Sequence, residues 1–538
     1  MIDDQTAAGS HSLGDLLRRS ARRTPDRLAL VDGARRLSFA ELDAVVNRTA
    51  NAIAERGVGH GDRVALLSRN RLEFVVLSFG LARLGAIMVP INFMLNGAEV
   101  GYVLQHSGAV GVVAEDGLHD VAAEALGHVD AGTVRVLGWL GAAGATPPDG
   151  WEHAGSWLEH PDDAAPQVVV ADTDPLRLMY TSGTESRPKG AIHSSRSLIA
   201  QYVSCIVGGE MTPDDVEVHA LPMYHCAQLD CFLGPDIYLG ATSIIVPAPE
   251  PERVLAAIEQ HRATKFFAPP TVWIGLLRSP AFDGADLSSL RKGYYGASPM
   301  PIEVLREMQR RLPALRLWNF YGQTELAPLA TALGPDEQVS HAGSAGRPVL
   351  NVETRVVDDD GRDVAAGQVG EIVHRSPQVT GGYWNDPDKT AEAFAGGWFH
   401  SGDLGVMIED GHLSVVDRKK DMIKTGGENV ASREVEEVLY EHPAVAEVAV
   451  FALPDPRWVE AVTAAVVVRD GASVAADDLR AHCRGRLAGF KVPKRLILVD
   501  SLPKNPSGKI LKRELRERFA ASGDDREEAA VDADPIAG

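Results

Sequence analysis

The residues with the clearest chemical potential occupy positions 178 to 193, Leu-Met-Tyr-Thr-Ser-Gly-Thr-Glu-Ser-Arg-Pro-Lys-Gly-Ala-Ile-His. An apolar run from Leu176 to Tyr180 predicts a strand, and it ends in a stretch rich in hydroxyl groups and glycine that contains Lys189. Glycines let successive backbone N–H groups face one anion, hydroxyls add donors, and a lysine adds a point charge. The stretch is therefore typical of a polyphosphate-binding loop.

This stretch differs from the common P-loop, which needs Gly-x4-Gly-Lys-Ser/Thr. Here Lys189 precedes Gly190, and no hydroxyl residue follows directly. Taken alone, an exposed Gly/Ser/Thr surface loop is an alternative interpretation. The choice between the two depends on the rest of the chain.

Five further stretches carry candidate chemistry. Three of them read Leu221-Pro-Met-Tyr-His-Cys-Ala-Gln, Tyr294-Tyr-Gly-Ala-Ser-Pro-Met and Trp318-Asn-Phe-Tyr-Gly-Gln-Thr-Glu. The fourth combines Trp398-Phe-His-Ser-Gly-Asp-Leu with Asp417-Arg-Lys-Lys-Asp-Met-Ile-Lys-Thr-Gly-Gly-Glu-Asn-Val, and the fifth is Leu502-Pro-Lys-Asn-Pro-Ser-Gly-Lys-Ile. A carboxylate such as Glu325 beside a polyphosphate is a usual ligand of Mg²⁺. Asp403 and Arg418 could share a ribose. Each piece alone has a plainer explanation, because a single histidine such as His225 more often packs and a charge run is ordinarily a solvated hinge.

Composition limits the classes of function. The chain has 538 residues, of which 45% are hydrophobic and 24% charged, which predicts three or four domain-sized units. A net charge of −21 argues against nonspecific binding to nucleic acid or to an anionic membrane.

The four cysteines lack zinc-site or disulfide spacing, which favours a reducing cytosol. The N-terminus lacks the build of a signal peptide, and the apolar region Phe74 to Leu95 is interrupted by polar residues. We therefore expect a soluble cytoplasmic protein without a membrane span.

Alternating helical and strand patterns predict βα units with a largely parallel sheet. Ser38 followed by Glu41 predicts a capping box at the start of a helix that runs to Arg56. Residues 353–413 favour a small β-rich subdomain, and residues 419–516 an α+β domain of about 100 residues. We expect disorder in residues 1–11 and in the acidic tail 520–538.

In their order and spacing, these motifs together closely resemble the adenylate-forming acyl-activating enzymes, which include fatty-acyl-CoA, acetyl-CoA and aryl-CoA ligases. The resemblance covers about residues 12–516. It implies an α/β fold, with a large N-terminal domain of two sheet-and-helix subdomains plus a β-rich one (12–417), a hinge (418–420) at Lys420, and a small mobile α+β C-terminal domain (421–516). The implied reaction activates a carboxylic acid with ATP to acyl-AMP, releases pyrophosphate, and transfers the acyl group to a thiol.

The resemblance also implies roles for individual residues. Lys509 would bridge the substrate carboxylate and the phosphate during adenylation, and Glu325 would bind Mg²⁺ together with Thr184. His225 would border the acid, and Lys424 would begin a loop that lets the pantetheine arm enter. Thr324 would contact the α-phosphate, Gly296 to Ser298 and Asn319 to Tyr321 would form the adenine site, and Asp403 and Arg418 would bind the ribose. The full set that would contact ATP or CoA is Thr181, Ser182, Gly183, Thr184, Lys189, Gly296, Ala297, Ser298, Asn319, Phe320, Tyr321, Gly322, Thr324, Asp403, Arg418, Gly426, Gly427, Trp458 and Phe490.

Two departures from the family pattern fall on the expected CoA surface. Val459 follows Trp458 where many relatives have glycine, and Val492 stands where some carry arginine. The acceptor is therefore expected to be CoA, with the phosphopantetheine of an acyl carrier protein as the alternative. In the phosphate loop, Glu185-Ser186 replaces a frequent Thr-Gly. A nonenzymatic nucleotide-binding protein is disfavoured by the intact motif residues, and a homodimer is compatible with the sequence.

The expected acid-binding region is apolar, with the members Met223, Val272, Trp273, Gly275, Ala297, Leu326 and Ala327. An unpaired polar group buried there would be costly, so a straight apolar tail is favoured. We expect a medium-chain fatty acid. Trp273 could limit the depth of the site, or it could be an ordinary aromatic core residue.

Overall fold

Local signals in the sequence fix where an early helix begins. The Ser38 hydroxyl accepts the Glu41 N–H at 3.2 Å, and a Glu41 carboxylate oxygen accepts the Ser38 N–H at 2.7 Å. These reciprocal bonds satisfy two N–H groups that the first turn leaves without a helical partner. The predicted capping box is confirmed, and the helix spans Phe39–Glu55.

The computed structural model describes residues 9–142, 144–181, 188–297, 300–419, 421–504 and 510–521. It divides into two units, the first of which extends to Val415 and the second of which begins at Val416. Within the described ranges, no helix combines the length and the apolar character needed to cross a membrane.

The strands up to the unit boundary form three sheets. In chain order they are β1 (Leu28–Asp32), β2 (Arg35–Ser38), β3 (Arg63–Leu67), β4 (Ile87–Pro90), β5 (Gly111–Glu115), β6 (Val136–Leu140), β7 (Glu152–His153), β8 (Pro175–Thr181), β9 (Lys189–Ser194), β10 (Val216–His219), β11 (Thr242–Ile245), β12 (Lys265–Phe267), β13 (Lys292–Gly296), β14 (Arg316–Gly322), β15 (Leu329–Leu333), β16 (Arg347–Pro348), β17 (Glu353–Val357), β18 (Val369–Arg375), β19 (Phe399–Met407) and β20 (Leu413–Arg418).

Two of these sheets are largely parallel. One has the strand order β7-β6-β5-β3-β4-β8-β9, and only its edge pair β8–β9 is antiparallel. The other has the order β16-β15-β14-β13-β12-β10-β11-β1-β2 and is parallel from β14 to β1. Parallel strands are usually buried on both faces, which explains their continuous apolar runs.

Helices connect and cover these strands. The helix Leu72–Arg83 is buried along almost its whole length, and a π-helical turn, Leu229–Leu233, joins two short helices. The helices of the first unit are Leu13–Arg23, Phe39–Glu55, Leu72–Arg83, Gly97–Ser107, His119–Leu126, Ser195–Gly208, Cys226–Gln228, Gly234–Leu239, Pro251–His261, Pro270–Arg278, Ile302–Arg311 and Pro387–Ala393. The layers of sheet and helix enclose the large apolar cores of this unit.

The third sheet has the strand order β17-β18-β19-β20, and its pairs β17–β18 and β18–β19 are antiparallel. It matches the β-rich subdomain predicted for residues 353–413. The expected architecture of two sheet-and-helix subdomains and a β-rich one is therefore confirmed.

The second unit is a small α+β domain. Its strands are β21 (Ile423–Thr425), β22 (Glu428–Val430), β23 (Val445–Asp455), β24 (Val459–Val468) and β25 (Arg495–Leu498), and its helices are Ser432–Tyr440, Ala476–Arg484 and Lys512–Ala521. The sheet order is β22-β21-β24-β23, with β25 parallel to β24.

Candidate active site

The predicted phosphate loop connects the two strands of an edge hairpin. Thr181 at the end of β8 pairs with Lys189 at the start of β9, and Tyr180 pairs with Gly190. The hairpin therefore holds both ends of the loop at one place. Three of the predicted phosphate contacts, Ser182, Gly183 and Thr184, lie outside the described residues, as do Glu185 and Ser186.

Lys189, Tyr383 and Glu325 meet beside this hairpin. The Lys189 ammonium lies 4.9 Å from the centre of the Tyr383 ring, and the Tyr383 hydroxyl donates to Glu325 Oε1 at 2.9 Å. A cation over an aromatic face is attracted by the ring quadrupole. The fold thus brings the predicted phosphate-loop lysine and the predicted metal-binding carboxylate into contact with one tyrosine, the first over its ring and the second at its hydroxyl.

Backbone hydrogen bonds hold this arrangement in place. The Thr380 N–H donates to the Glu325 carbonyl at 2.7 Å, and the Trp384 N–H donates to the Gly190 carbonyl at 2.8 Å. The segment 380–384 therefore spans from β9 to the short helical turn Thr324–Leu326 that carries Glu325. Burial and the nearby Glu325 carboxylate raise the pKa of Tyr383 well above its usual value, so its hydroxyl stays a hydrogen-bond donor.

The predicted phosphate contact Thr324 lies next to the segment around His225. The Thr324 hydroxyl oxygen is 3.4 Å from Cys226 Sγ. Burial strongly raises the pKa of the Cys226 thiol, which excludes it as a nucleophile near neutral pH. His225 caps the next turn, where its Nδ1 accepts the Ala227 N–H at 3.2 Å. His225 is thus held in one orientation by the chain that follows it.

A small cavity of about 20 Å³ opens beside His225. Its polar members are His225 and Gln228, and the full lining is Leu221, Pro222, His225, Ala227, Gln228, Phe267, Pro269 and Ala297. This volume holds about one water molecule, so an acid would have to displace side chains to enter.

Several residues expected to line the acid site lie in the apolar cores. Met223, Trp273 and Leu326 are buried, and the Trp273 indole N–H donates to the Tyr294 carbonyl at 3.0 Å. Trp273 packs against Phe266. Its interpretation as an aromatic core residue is therefore the one that fits.

The strand ends β13 and β14 lie side by side, as the predicted adenine contacts require. Gly296 pairs with Phe320, and a Cβ added at Gly296 would lie 2.4 Å from the Phe320 carbonyl oxygen. Ala297 follows with a φ of 64°, a left-handed conformation. Gly322 at the end of β14 likewise allows a close backbone approach, since a Cβ added there would lie 1.8 Å from the Pro328 carbonyl oxygen. Ser298 lies outside the described residues.

Two of the predicted adenine contacts have other partners. The Phe320 side chain packs between Phe232 and Tyr294, so only its backbone remains at the edge. The Asn319 side-chain amide donates to the Ser344 carbonyl at 3.0 Å. Asn319 therefore fixes the segment around Ser344 rather than pointing into open space.

The predicted ribose ligand Asp403 is buried in a hydrogen-bond network. Its Oδ2 accepts the Tyr321 hydroxyl at 2.7 Å and the Gln323 side-chain amide at 2.9 Å. The same amide of Gln323 donates to the Ser401 carbonyl at 2.9 Å. Asp403 is thus positioned by the loop that leads to Glu325.

In the second unit, the predicted pantetheine loop is a tight β-hairpin between β21 and β22. Gly426 and Gly427 have φ values of 59° and 89°, which glycine adopts without strain and which two-residue hairpin turns require. The Gly426 N–H donates to the Trp458 carbonyl at 2.8 Å, and the Lys424 N–H donates to Glu460 at 2.6 Å. Lys424 itself is exposed.

Trp458 stands between two cations. The Arg457 guanidinium lies 4.9 Å and the Lys494 ammonium 5.0 Å from its ring centre. Desolvation and nearby arginines lower the pKa of Lys494. Phe490 lies on the loop before Lys494, with the Lys491 ammonium 5.8 Å from its ring. An aromatic ring flanked by positive charge suits a nucleotide that carries phosphates.

Val459 and Val492, the two residues on the expected CoA surface that differ from the family pattern, have different structural environments. Val459 has a φ of 69° and is 71% exposed, so a β-branched residue occupies a left-handed position that glycine would take without strain. Val492 is buried in the apolar core of the second unit. The second position therefore adds packing, not charge, to this surface.

The predicted ribose ligand Arg418 lies just after the unit boundary. The Arg418 backbone N–H donates to Asp417 Oδ1 at 2.8 Å, and Asp417 Oδ2 accepts the Ser432 backbone N–H at 2.6 Å. The predicted hinge residue Lys420 and the predicted catalytic Lys509 lie outside the described residues.

Sequence reasoning did not single out Tyr383 or Gln323 as site residues. Both were missed because their partners, Glu325 and Asp403, lie 58 and 80 positions away in the chain. The one available signal for Gln323 was its place in the Tyr-Gly-Gln-Thr-Glu motif. Nothing local marks Tyr383.

Comparison with known proteins gives matches over nearly the whole chain. The model of the AMP-binding enzyme family matches residues 17–384, and that of the AMP-binding enzyme C-terminal domain matches residues 434–509. A feruloyl-CoA synthase of an Amycolatopsis species is 39% identical over 512 residues, which are 95% of this chain and 99% of the relative.

Other relatives differ in substrate and acceptor. An indoleacetate–CoA ligase of Aromatoleum aromaticum is 36% identical, over 94% of this chain and 98% of the relative. A fatty acid–[acyl-carrier-protein] ligase of Streptomyces coeruleorubidus is 35% identical, over 93% and 95%. Among solved structures, ATP-bound MatB from Rhodopseudomonas palustris matches with a TM-score of 0.85 and 31% identity, over 94% of this chain and 99% of that one.

Proposed function

Because the chain belongs to the family of AMP-binding enzymes, we propose that it uses ATP to join a carboxylic acid to the thiol of CoA. The convergence of Lys189, Tyr383 and Glu325 beside the phosphate-loop hairpin is the observation that supports this proposal most. The Lys189 cation would serve the phosphates, and the Glu325 carboxylate would serve a metal. We place the adenine base at the end of β13, where Ala297 is exposed.

The first half-reaction makes the acid a better electrophile. A carboxylate oxygen attacks the α-phosphorus of ATP, the bond to pyrophosphate breaks, and acyl-AMP forms. Such phosphoryl chemistry depends mostly on positioning and charge. Lys189 holds the departing phosphates, Thr324 contacts the α-phosphate, and Lys509 bridges the acid and the phosphate.

The residues present fit a Mg²⁺ ion. Mg²⁺ is commonly held by one or two carboxylates together with phosphate oxygens and water, and Glu325 supplies one carboxylate whose Oε1 is oriented by Tyr383. When bound, the ion would neutralise charge on the phosphates. Thr184 is the second proposed ligand.

The second half-reaction uses the other unit. The thiol attacks the acyl carbon and AMP departs with the oxygen that joined it to the acyl group. The hairpin with Gly426 and Gly427 leaves space for a pantetheine arm, and Trp458 with Arg457 and Lys494 offers stacking and positive charge to the CoA nucleotide. We favour CoA over a carrier protein because a carrier needs no nucleotide surface of this kind.

For the acid, we propose an aryl-substituted carboxylate with an apolar body. The cavity beside His225 has a mostly apolar lining, which suits an apolar body. The feruloyl-CoA and indoleacetate–CoA relatives support an aromatic acid. A medium-chain fatty acid is the second candidate, since the rest of the lining is apolar.

The test uses the full chain with ATP and Mg²⁺ and a panel of ferulate, indoleacetate and octanoate. Each acid is supplied with CoA or with a phosphopantetheinylated carrier protein, and pyrophosphate, AMP and thioester are quantified. Equal amounts of AMP, pyrophosphate and acyl-CoA support the proposal. Thioester formed only on the carrier protein would select the alternative acceptor, and release of ADP would refute the reaction.

A further inference from the structure

Away from the proposed active site, two histidines and two carboxylates meet at the β19–β20 turn. His341 Nε2 lies 3.1 Å from Asp410 Oδ2, and His412 Nδ1 lies 2.8 Å from Asp410 Oδ1. One ligand atom from each of the three residues fits within 4.8 Å of the others.

The far nitrogen of each histidine also faces a polar group. His412 Nε2 lies 3.3 Å from Glu337 Oε1, and Glu337 is held by the Arg347 guanidinium at 2.9 Å. His341 Nδ1 lies 2.9 Å from the Ser340 hydroxyl oxygen. Histidines that bind metals almost always donate a hydrogen bond from the N–H of their second ring nitrogen to a carboxylate or another acceptor.

One atom in this cluster is poorly satisfied. The His412 side chain is 1% exposed, and its Nε2 makes no well-aligned hydrogen bond with any residue in the described ranges. Such a buried polar atom carries a free-energy cost unless a small shift of the ring completes its bond to Glu337.

We propose that His341, Asp410 and His412 bind a transition-metal ion of the Zn²⁺ class, with Glu337 orienting His412. Two imidazoles and one carboxylate form a ligand set that suits Zn²⁺. The proposal does not depend on the proposed reaction.

The observed spacing is close to what such an ion requires. Ligand atoms about 2.1 Å from a tetrahedral Zn²⁺ lie roughly 3.4 Å from each other. The distances from the histidine nitrogens to Asp410, 3.1 Å to Oδ2 and 2.8 Å to Oδ1, are shorter and end on different oxygens, so the carboxylate must turn to present one oxygen to the ion. The imidazole rings stack at 3.7 Å and 12°, so one ring must tilt for both to face the ion. His341, whose side chain is 25% exposed, has the room to do so.

The ion would connect two segments of the first unit. His341 follows β15, and Asp410 and His412 lie in the β19–β20 turn. Next to His341, the Ser344 hydroxyl already donates to the Leu413 carbonyl at 2.8 Å. The Ser344 carbonyl in turn accepts the Asn319 amide of the strand-end edge. Metal binding would therefore stabilise this unit.

The test uses the full chain, stripped of metal with a chelator and free of nucleotide. Zn²⁺ is titrated against a chromophoric chelator, and Co²⁺ then replaces Zn²⁺ so that its visible absorption reports the ligands. We expect one Zn²⁺ per chain and a higher unfolding temperature with metal. His341→Gln and Asp410→Asn should each weaken binding at least about tenfold.

His128→Gln is the matched control, since His128 is an exposed histidine outside the described ligand clusters. It should bind Zn²⁺ as the unchanged chain does. Asp410 lies on an exposed turn, so Asp410→Asn remains informative if His341→Gln lowers the unfolding temperature without metal. Absence of Zn²⁺ binding, or equal affinity in both site variants and the unchanged chain, would overturn the proposal.

Discussion

Tyr383 and Glu325, which are 58 residues apart in the chain, meet in a hydrogen bond of 2.9 Å from the phenol to Oε1. The Lys189 ammonium lies over the same ring, 4.9 Å from its centre. One aromatic side chain therefore contacts both the cation and the carboxylate that the proposed phosphate site needs.

Tyr383→Phe should keep the ring but remove the bond that orients Glu325. A hydrogen bond to a charged group contributes about 1.5–3 kcal/mol, so we expect at least roughly a tenfold loss of acid-dependent pyrophosphate release at limiting Mg²⁺. Excess Mg²⁺ should restore part of the rate. Tyr440→Phe, in the second unit, should leave the Mg²⁺ dependence unchanged. An unchanged Mg²⁺ dependence in Tyr383→Phe would contradict the proposed role of Glu325.

Trp458→Ala should impair the use of CoA and spare adenylation. Stacking of a base on an aromatic side chain is worth about 1–3 kcal/mol, which predicts a rise of roughly tenfold or more in the KM for CoA. Exchange of pyrophosphate into ATP, which needs only the first half-reaction, should continue at the original rate. If the KM for CoA does not change, the surface of Trp458, Arg457 and Lys494 is not the CoA site.

Val459→Gly should stabilise the second unit. The left-handed φ of 69° costs an ordinary residue about 1–2 kcal/mol, and glycine loses part of this gain to chain entropy. We expect a net gain of about 0.5–1 kcal/mol in the free energy of unfolding, measured with urea. Val369→Gly, at a 52% exposed position in β18, should instead destabilise the protein. A loss of stability in Val459→Gly would show that the valine side chain contributes contacts that outweigh the strain.

His374 makes the stability of the first unit depend on pH. Burial lowers its pKa to about 4, below the value of about 6.5 in an unfolded chain. The unfolded chain therefore takes up the proton first, so the contribution is complete above pH ~6.5 and declines towards pH 4 by about 1.4 kcal/mol per pH unit. Urea unfolding at pH 7.5 and 5.5 should show a smaller decline in His374→Gln than in the unchanged chain, whereas the exposed control His128→Gln should not differ. Equal declines in all three proteins would contradict this assignment.

Local patterns predicted the local structure well. The Ser38–Glu41 capping box and the Leu176–Tyr180 strand needed only neighbouring residues, and both were found. The bond between Tyr383 and Glu325 could not be predicted, because it depends on how β9 and the segment 380–384 pair. The core position of Trp273 likewise follows from tertiary packing. The left-handed backbone of Val459 follows from how the chain enters β24, and residue spacing does not predict either feature.

The most direct test of the central proposal follows oxygen atoms through the reaction. The acid that performs best in the panel is labelled with ¹⁸O in both carboxylate oxygens and converted with ATP, Mg²⁺ and CoA. If the carboxylate attacks the α-phosphorus, the AMP released must carry one ¹⁸O atom, and pyrophosphate must carry none. Unlabelled AMP, or label in pyrophosphate or inorganic phosphate, would contradict an acyl-adenylate route.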